Sequence, residues 1–136
     1  MKLLNDHHVE YLLVDGYAVS YHGCVRSTAD LDIWIAMNPE NARRMVELLR
    51  AFGFGETGLS TDLFLSPHQI TRMGREPVRI EILTTVSGVD FAEAYAHRIV
   101  DVIDGIPVSV ISRQHLEANK RAAGRAKDLA DLENLP

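Results

Sequence analysis

Asp30 and Asp32 stand one residue apart at the start of an apolar run, LDIWI, that is typical of a buried strand. Side chains at positions i and i+2 of a strand point the same way, so both carboxylates are expected to project together. If their oxygens lie about 5 Å apart, the repulsion is roughly 3 kcal/mol at an effective dielectric constant near 20. A divalent cation between them would remove this cost.

Glu81 is a third acidic side chain that interrupts an apolar run, in the stretch VRIEIL at residues 78–83. If this stretch is a strand, positions 78, 80 and 82 form one face, and Glu81 shares the other with Arg79 and Leu83. A carboxylate there needs a partner. The partner is either Arg79 or a neighbouring arginine, or the cation inferred at the aspartate pair, and both alternatives stay open.

A short apolar run, Tyr11–Val14, is followed at once by the turn signal Asp15-Gly16. Apolar positions at helical spacing come next, and Gly23 is placed to end a short helix. A strand, a turn and a helix in this order leave backbone N–H groups that stabilise phosphate at the helix N-terminus. Gly16 would let a ligand approach the backbone closely.

The remaining pattern alternates strands and helices. Asn38-Pro39 predicts a helix start, and that helix would end near Gly53, whereas Asn5 to Glu10 reads as a solvated turn and residues 54–67 show no clear pattern. Further elements are predicted as a strand from Asp30 to Ala36, strands Ile70 to Met73 and Val78 to Leu83, a helix from Asp90 to His97, and a hairpin of Ile99 to Ile103 with Ile106 to Ile111.

Basic residues cluster near the C-terminus, where Ser112 can cap a helix and Gly124 separates it from a last helix. Four of them surround the glycine, namely Lys120, Arg121, Arg125 and Lys127. They could bind a polyphosphate, or Asp128, Asp131 and Glu133 could neutralise them in pairs worth little. For Lys120 and Arg125 the two interpretations remain evenly balanced.

Length and composition restrict the class of protein. At 136 residues the chain has the length of one domain and can bury about two-thirds of its unfolded surface. A net charge of −5 argues against a protein that coats DNA or RNA through bulk positive charge. The single cysteine, Cys24, cannot form an internal disulfide, which fits a reducing cytoplasm. The apolar residues after Met1 are too few for a signal peptide.

Gly16 before a helix, Asp30-Leu31-Asp32, and Glu81 in a later strand together resemble the nucleotidyltransferase superfamily that includes polymerase beta. The similarity extends to small bacterial nucleotidyltransferases, some of which act as toxins or antitoxins. It covers nearly the whole chain through three stretches: YLLVDGYAVSYHGCVRSTADLDIWI, VRIEIL and NKRAAGRAKDLADLENL. Asp-x-Asp alone would be a weak signal.

This resemblance implies an α/β (α+β) fold, a mixed sheet flanked by helices, over residues 1–136, with residues 112–136 as a C-terminal helical segment. It implies two Mg²⁺ ions held by the catalytic carboxylates Asp30, Asp32 and Glu81. An NTP would donate a nucleoside monophosphate to a hydroxyl on a small molecule, RNA or protein. The phosphates would be held by Gly16, Tyr17, Arg26, Thr28, Lys120 and Arg125.

Two departures from the family pattern define an alternative. Relatives have Gly-Gly or Gly-Ser where this chain has Asp15-Gly16-Tyr17, and an aspartate beside a phosphate site is electrostatically unfavourable. Many relatives also carry an extra helical domain for the acceptor, so here the segment after Ile111, a second subunit or a partner protein must bind it. The alternative is a nucleotidyltransferase-like binding or regulatory module that has lost transfer, such as a toxin–antitoxin component.

Overall fold

Six strands form one mixed sheet within residues 1–23, 30–53, 59–75 and 78–136, the ranges that the computed structural model describes. They are β1 (Tyr11–Val14), β2 (Asp30–Ile35), β3 (Ile70–Arg75), β4 (Val78–Leu83), β5 (Ile99–Ile103) and β6 (Ile106–Val110). Their order across the sheet is β3-β4-β2-β1-β6-β5. β2 lies antiparallel to β1 and parallel to β4, so the mixed sheet is confirmed.

Six α-helices accompany the sheet in the described part of the chain: α1 (Lys2–Asp6), α2 (Asp15–Tyr21), α3 (Pro39–Ala51), α4 (Phe91–Ala96), α5 (Arg113–Ala123) and α6 (Ala126–Asn134). The predicted turn over Asn5 to Glu10 was wrong in part, because α1 reaches Asp6. This helix has no side-chain cap, and the burial of Leu4 ties it to the core. Among the described residues, no helix is both long and apolar enough to cross a bilayer.

Two predicted helix starts are confirmed by their hydrogen bonds. The side chain of Asn38 accepts the N–H of Asn41 at 2.9 Å, and Ser112 accepts the N–H of His115 at 3.2 Å. These bonds satisfy N–H groups that have no partner within the first turn of a helix. Gly124 ends α5 in the left-handed conformation, with φ +63°, as its place in the sequence predicts.

The two faces of the central sheet carry different chemistry. In the β2–β4 register, Leu31 lies opposite Ile80 and Ile33 opposite Ile82, and these side chains share an apolar cavity with Leu48 of α3. The other face carries the acidic residues of both strands. The predicted alternation of β2 and β4 is therefore confirmed, and it presents carboxylates on the side away from the aliphatic residues.

Trp34 belongs to the core. It is 1% exposed, its indole N–H donates to the carbonyl of Thr84 at 3.2 Å, and its ring meets Phe91 of α4 edge to face. Trp34 shares the face of Asp32, but its burial and contacts are those of a core residue. The ring contact with Phe91 and the hydrogen bond to Thr84 thus give Trp34 a structural role in the core.

The loop after β4 is seated on α5. The side chain of Asn119 donates to the carbonyl of Ser87 at 3.0 Å, and Gly88 has a φ of +73°. A Cβ atom added at Gly88 would lie 2.4 Å from the Cβ of Ala122. The loop backbone and α5 therefore touch at a point where no side chain fits.

Gly88→Ala should destabilise the fold by about 2–4 kcal/mol, because it combines a left-handed backbone with steric overlap on α5. Gly105→Ala is the matched control: Gly105 also has a positive φ, +78°, but nothing lies within 4 Å of its added Cβ. We expect the control to lose about 1 kcal/mol. Urea unfolding of both variants measures the difference, and equal losses would contradict the close packing of loop and helix.

Candidate functional site

Asp32 and Glu81 are brought side by side on neighbouring strands. They are direct partners in the parallel β2–β4 register, and Asp32 is only 6% exposed. Both line a cleft of about 450 Å³ bounded by the end of β1, the start of β3, the loop after β4 and α5. The structure thus joins two of the three carboxylates that the sequence singled out, at the mouth of a cavity large enough for a small ligand.

Asp30 shares the face of Asp32, as the alternation along β2 predicted, but it is paired with an arginine. It lies opposite Arg79 in the register, and the Nε of Arg79 donates to its Oδ1 at 3.1 Å. Among the described residues, Asp30 is not part of the cleft lining, and it does not form with Asp32 and Glu81 a group whose ligand oxygens all lie within 4.8 Å. Asp30 therefore stands beside the acidic pair without completing it.

Asp15 is the third carboxylate in the cleft, and the sequence analysis did not predict it as a site residue. It directly follows Val14, whose partner in the antiparallel β1–β2 register is Asp32. Its backbone has a φ of +53°, a left-handed conformation that aspartate tolerates better than most residues do. The available signal was the aspartate in place of the glycine of related turns.

Two lysines neutralise Asp15. The ammonium of Lys120 donates to its Oδ1, and that of Lys127 donates to its Oδ2 at 3.3 Å. Burial alone would raise the pKa of Asp15, but the hydrogen bond and charge of Lys120, aided by Lys127, bring this pKa below its ordinary value. Asp15 is consequently an ionised carboxylate at neutral pH.

Lys120 is 1% exposed and also contacts Asp128 at 3.1 Å and Asp131 at 3.2 Å. From the sequence, Lys120 could either bind a phosphate or form weak ion pairs. The geometry differs from both interpretations, because carboxylates enclose its ammonium. Burial lowers the pKa of Lys120, but its acidic partners raise it further, so the ammonium stays charged. Asp15, Asp128 and Asp131 have oxygens within 4.8 Å of one another, and Lys120 supplies the cation among them.

The other predicted phosphate ligands are distributed unevenly. Arg125 lines the cleft with an exposed side chain, and its Nε donates to Asp128 at 2.7 Å. Gly16 is buried within α2 and Tyr17 packs against the core, so neither is among the described residues that line the cleft. Arg26 and Thr28 lie outside the described residues. Of this group, Arg125 is the described cation that faces the cleft.

The acidic groups act strongly on Asp32. Its pKa is raised from the ordinary value of 3.8 to about 7 by burial first, then by the charge of Asp15 and by a hydrogen bond with Glu81. Among the described residues, no ion pair joins Asp32 to a basic side chain. Near neutral pH this side chain can therefore hold a proton or release it in favour of a cation.

Glu81 has the arginine partner that the sequence offered as one alternative, but the arginine is Arg72 rather than Arg79. The Nε of Arg72 lies 3.0 Å from Oε1 of Glu81 and opposite it in the β3–β4 register. The side chain of Arg72 is 68% exposed, so this pair contributes little to stability and is easily separated. The pairing leaves Glu81 available to a competing cation.

The donor set of the cleft fits magnesium. Asp32 and Glu81 offer carboxylate oxygens, the hard ligands that Mg²⁺ prefers, and a phosphate ligand would supply the rest. Among the described residues, neither Asp15 nor Asp30 forms with them a group whose ligand oxygens all lie within 4.8 Å. Burial first, and then the neighbouring negative charge, raise the pKa of Asp32, and a divalent cation would offset both effects by favouring the ionised carboxylate. Asp32 and Glu81 would be its principal protein ligands.

Lys120→Met should destabilise the protein by about 3–5 kcal/mol, because Asp128 and Asp131 would remain buried without their shared cation. Lys127→Met is the matched control, since its side chain is 47% exposed and its loss should cost less than about 1 kcal/mol. Chemical denaturation at pH 7 gives both values. Similar small losses in the two variants would show that the buried lysine does not organise this region.

Asp32→Asn should stabilise the cation-free protein by about 1–2 kcal/mol at pH 8 and by much less at pH 5. With a folded-state pKa of about 7 against 3.8, the folded protein keeps a proton that the unfolded chain has lost between these values. The favourable contribution of protonated Asp32 to the free energy of unfolding is therefore lost as the pH rises through the folded-state pKa of about 7. Thermal unfolding in EDTA measures the effect, and a gain that is the same at both pH values would refute it.

Asp30→Asn provides the comparison for this experiment. Asp30 stands on the same strand but is paired with Arg79, so its neutralisation removes an ion pair and relieves no excess charge. We expect no stabilisation of this variant at pH 8.

The fold of this chain matches known structures, although no protein-family profile and no curated protein sequence matches the chain. A candidate nucleotidyltransferase from Thermotoga maritima aligns over 97% of this chain and 84% of its own, at 14% identity and a TM-score of 0.61. An antigenic nucleotidyltransferase-like protein from Paracoccidioides brasiliensis aligns over 98% and 69%, at 16% identity and a TM-score of 0.57. The chain therefore has a nucleotidyltransferase-like fold.

Proposed function

We propose that this protein is a Mg²⁺-dependent nucleotidyltransferase of the polymerase-beta-like superfamily. It would transfer a nucleoside monophosphate from an NTP to a hydroxyl of a small molecule, RNA or protein. One observation carries the proposal: Asp32 and Glu81 stand side by side at a cleft of about 450 Å³. On a nucleotidyltransferase-like fold, a carboxylate pair at such a cleft supports metal-assisted phosphoryl chemistry.

The reaction forms one P–O bond and breaks another. The acceptor hydroxyl oxygen attacks the α-phosphorus of the NTP, the bond from that phosphorus to the bridging oxygen breaks, and pyrophosphate leaves with the bonding electrons. Glu81, less buried than Asp32, would accept the hydroxyl proton. Bound magnesium would neutralise charge on the phosphates and orient them for in-line attack.

The ligand roles of the remaining predicted residues divide by position. Arg125 faces the cleft and would contact a phosphate, exchanging part of its pairing with Asp128. Lys120 would act indirectly, by fixing the Asp15 turn against α5. Asp30 would join the metal site after leaving Arg79, a step made easy by the 49% exposure of that arginine. Arg26 and Thr28 are further candidates for the phosphates.

A binding or regulatory module without transfer activity, such as a toxin–antitoxin component, is the second candidate. It is favoured by the pairing of carboxylates around the cleft: Glu81 with Arg72, Asp30 with Arg79, and Asp15 with lysines. Such pairs already satisfy much of the negative charge that a catalytic cation would use. Nucleotide could still bind in this case.

Thermal unfolding with ATP, GTP, CTP or UTP, each with Mg²⁺ or EDTA, tests the proposal. A ligand that binds only the folded state adds about 2.7 kcal/mol at 100 times its dissociation constant, so a Mg²⁺-dependent rise in Tm is expected with at least one nucleotide. Transfer is then followed as release of pyrophosphate and labelling of the acceptor from an α-labelled NTP. Glu81→Gln should reduce transfer by at least about 100-fold while leaving the fold intact.

Glu47→Gln serves as the matched control, because it removes one charge from α3, which contributes none of the described residues that line the cleft. If none of the four nucleotides gives a Mg²⁺-dependent rise in Tm, the proposed enzyme activity is contradicted. A shift without transfer to small-molecule, RNA or protein acceptors would favour the regulatory module.

A further inference from the structure

Three of the described residues that line the cleft are carboxylates, and only two of them come from the adjacent strands β2 and β4. Asp32 and Glu81 come from β2 and β4, and Asp15 is added at the end of β1, one residue after the register partner of Asp32. Arg125 and His68 are the basic side chains among the described residues that line the cavity, and Arg125 is paired with Asp128. The described lining therefore carries an excess of negative charge.

The charge of Asp15 reaches the acidic pair even though two lysines contact it. Asp15 directly follows Val14, the antiparallel register partner of Asp32, and its side chain lines the same cavity as Asp32 and Glu81. The side chain of Asp15 is 23% exposed, so part of its carboxylate faces the cavity while Lys120 approaches from the protein interior. Asp15 thus influences any charged ligand that enters the cleft.

Asp15 also pairs with two ammonium groups. Lys120 contacts its Oδ1 and Lys127 its Oδ2, so neither side chain presents an uncompensated positive charge to an anion. Lys120 has Asp128 and Asp131 as further partners, whereas no second acidic partner of Lys127 is seen among the described residues. Neutralising Asp15 would leave the charge of Lys127 unbalanced beside a residue that lines the cavity.

We propose that Asp15 sets the ligand preference of the cleft: its carboxylate strengthens the binding of a divalent cation at Asp32 and Glu81 and repels a polyphosphate that carries no cation. This inference rests on the proposed function, because it assumes that the acidic pair binds a metal ion. It assigns to Asp15 the order of binding, in which the cation must accompany or precede the phosphates. A glycine at this position would accept a bare polyphosphate more readily.

Asp15→Asn tests the inference, since asparagine keeps the shape, tolerates a positive φ and retains an oxygen that can accept from Lys120. Two probes are measured separately by calorimetry at pH 8 and low salt: Mn²⁺ alone, and inorganic tripolyphosphate in EDTA. We expect the variant to bind Mn²⁺ about tenfold more weakly and tripolyphosphate about three- to tenfold more tightly than the wild type. Opposite changes cannot arise from simple damage to the cleft.

Lys127→Met is the reciprocal variant, because it removes the exposed cation that pairs with Oδ2 of Asp15. It should bind Mn²⁺ at least as tightly as the wild type and tripolyphosphate more weakly. Glu47→Gln on α3 changes the net charge by the same amount as Asp15→Asn and should alter neither affinity.

The outcomes separate the two proposals. A wild type that binds no Mn²⁺ contradicts the proposed function and this inference with it. A wild type that binds Mn²⁺, with an Asp15→Asn variant unchanged toward both probes or weakened toward both, overturns only the role of Asp15. Near-ultraviolet circular dichroism and Tm of each variant verify that it is folded, and Asp15→Gly, which relieves the left-handed backbone, replaces the asparagine variant if that one unfolds.

Discussion

The ammonium of Lys120 enclosed by Asp15, Asp128 and Asp131 is the interaction that fixes the geometry of the cleft. It joins three parts of the chain: the turn after β1, helix α5 and helix α6. Removing one partner from such a buried group is costly, since the remaining charges lose both water and their counter-ion. The cluster therefore ties the C-terminal helices to the turn after β1, where α5 forms a wall of the cleft.

The cleft itself collects negative charge rather than positive charge. Asp32 is buried beside Glu81 and close to the charge of Asp15. Burial and then these neighbours raise its pKa to about 7. A site of this kind favours cations and accepts a phosphate ligand chiefly through a metal ion. Arg72 on β3 and Arg79 on β4 are exposed, and their ion pairs separate at small cost.

Likeness of fold and likeness of chemistry are separate arguments for this protein. The solved structures that resemble it share 14% and 16% identity with it, which establishes a common arrangement of strands and helices. Function depends on the site, because one fold supports many activities through different side chains. The proposed activity depends on Asp32 and Glu81. The distinguishing residue of this cleft is Asp15, the aspartate in the turn after β1.

The sequence determined those features that depend on local periodicity. Alternation along β2 and β4 placed Asp32 and Glu81 on one face, and the caps at Asn38 and Ser112 marked helix starts. Tertiary structure alone decided which charges meet. Asp15 and Lys120 are 105 residues apart, and the pairing of Asp30 with Arg79 follows from strand register. Local patterns fix the direction of a side chain, whereas its partner depends on how distant elements pack.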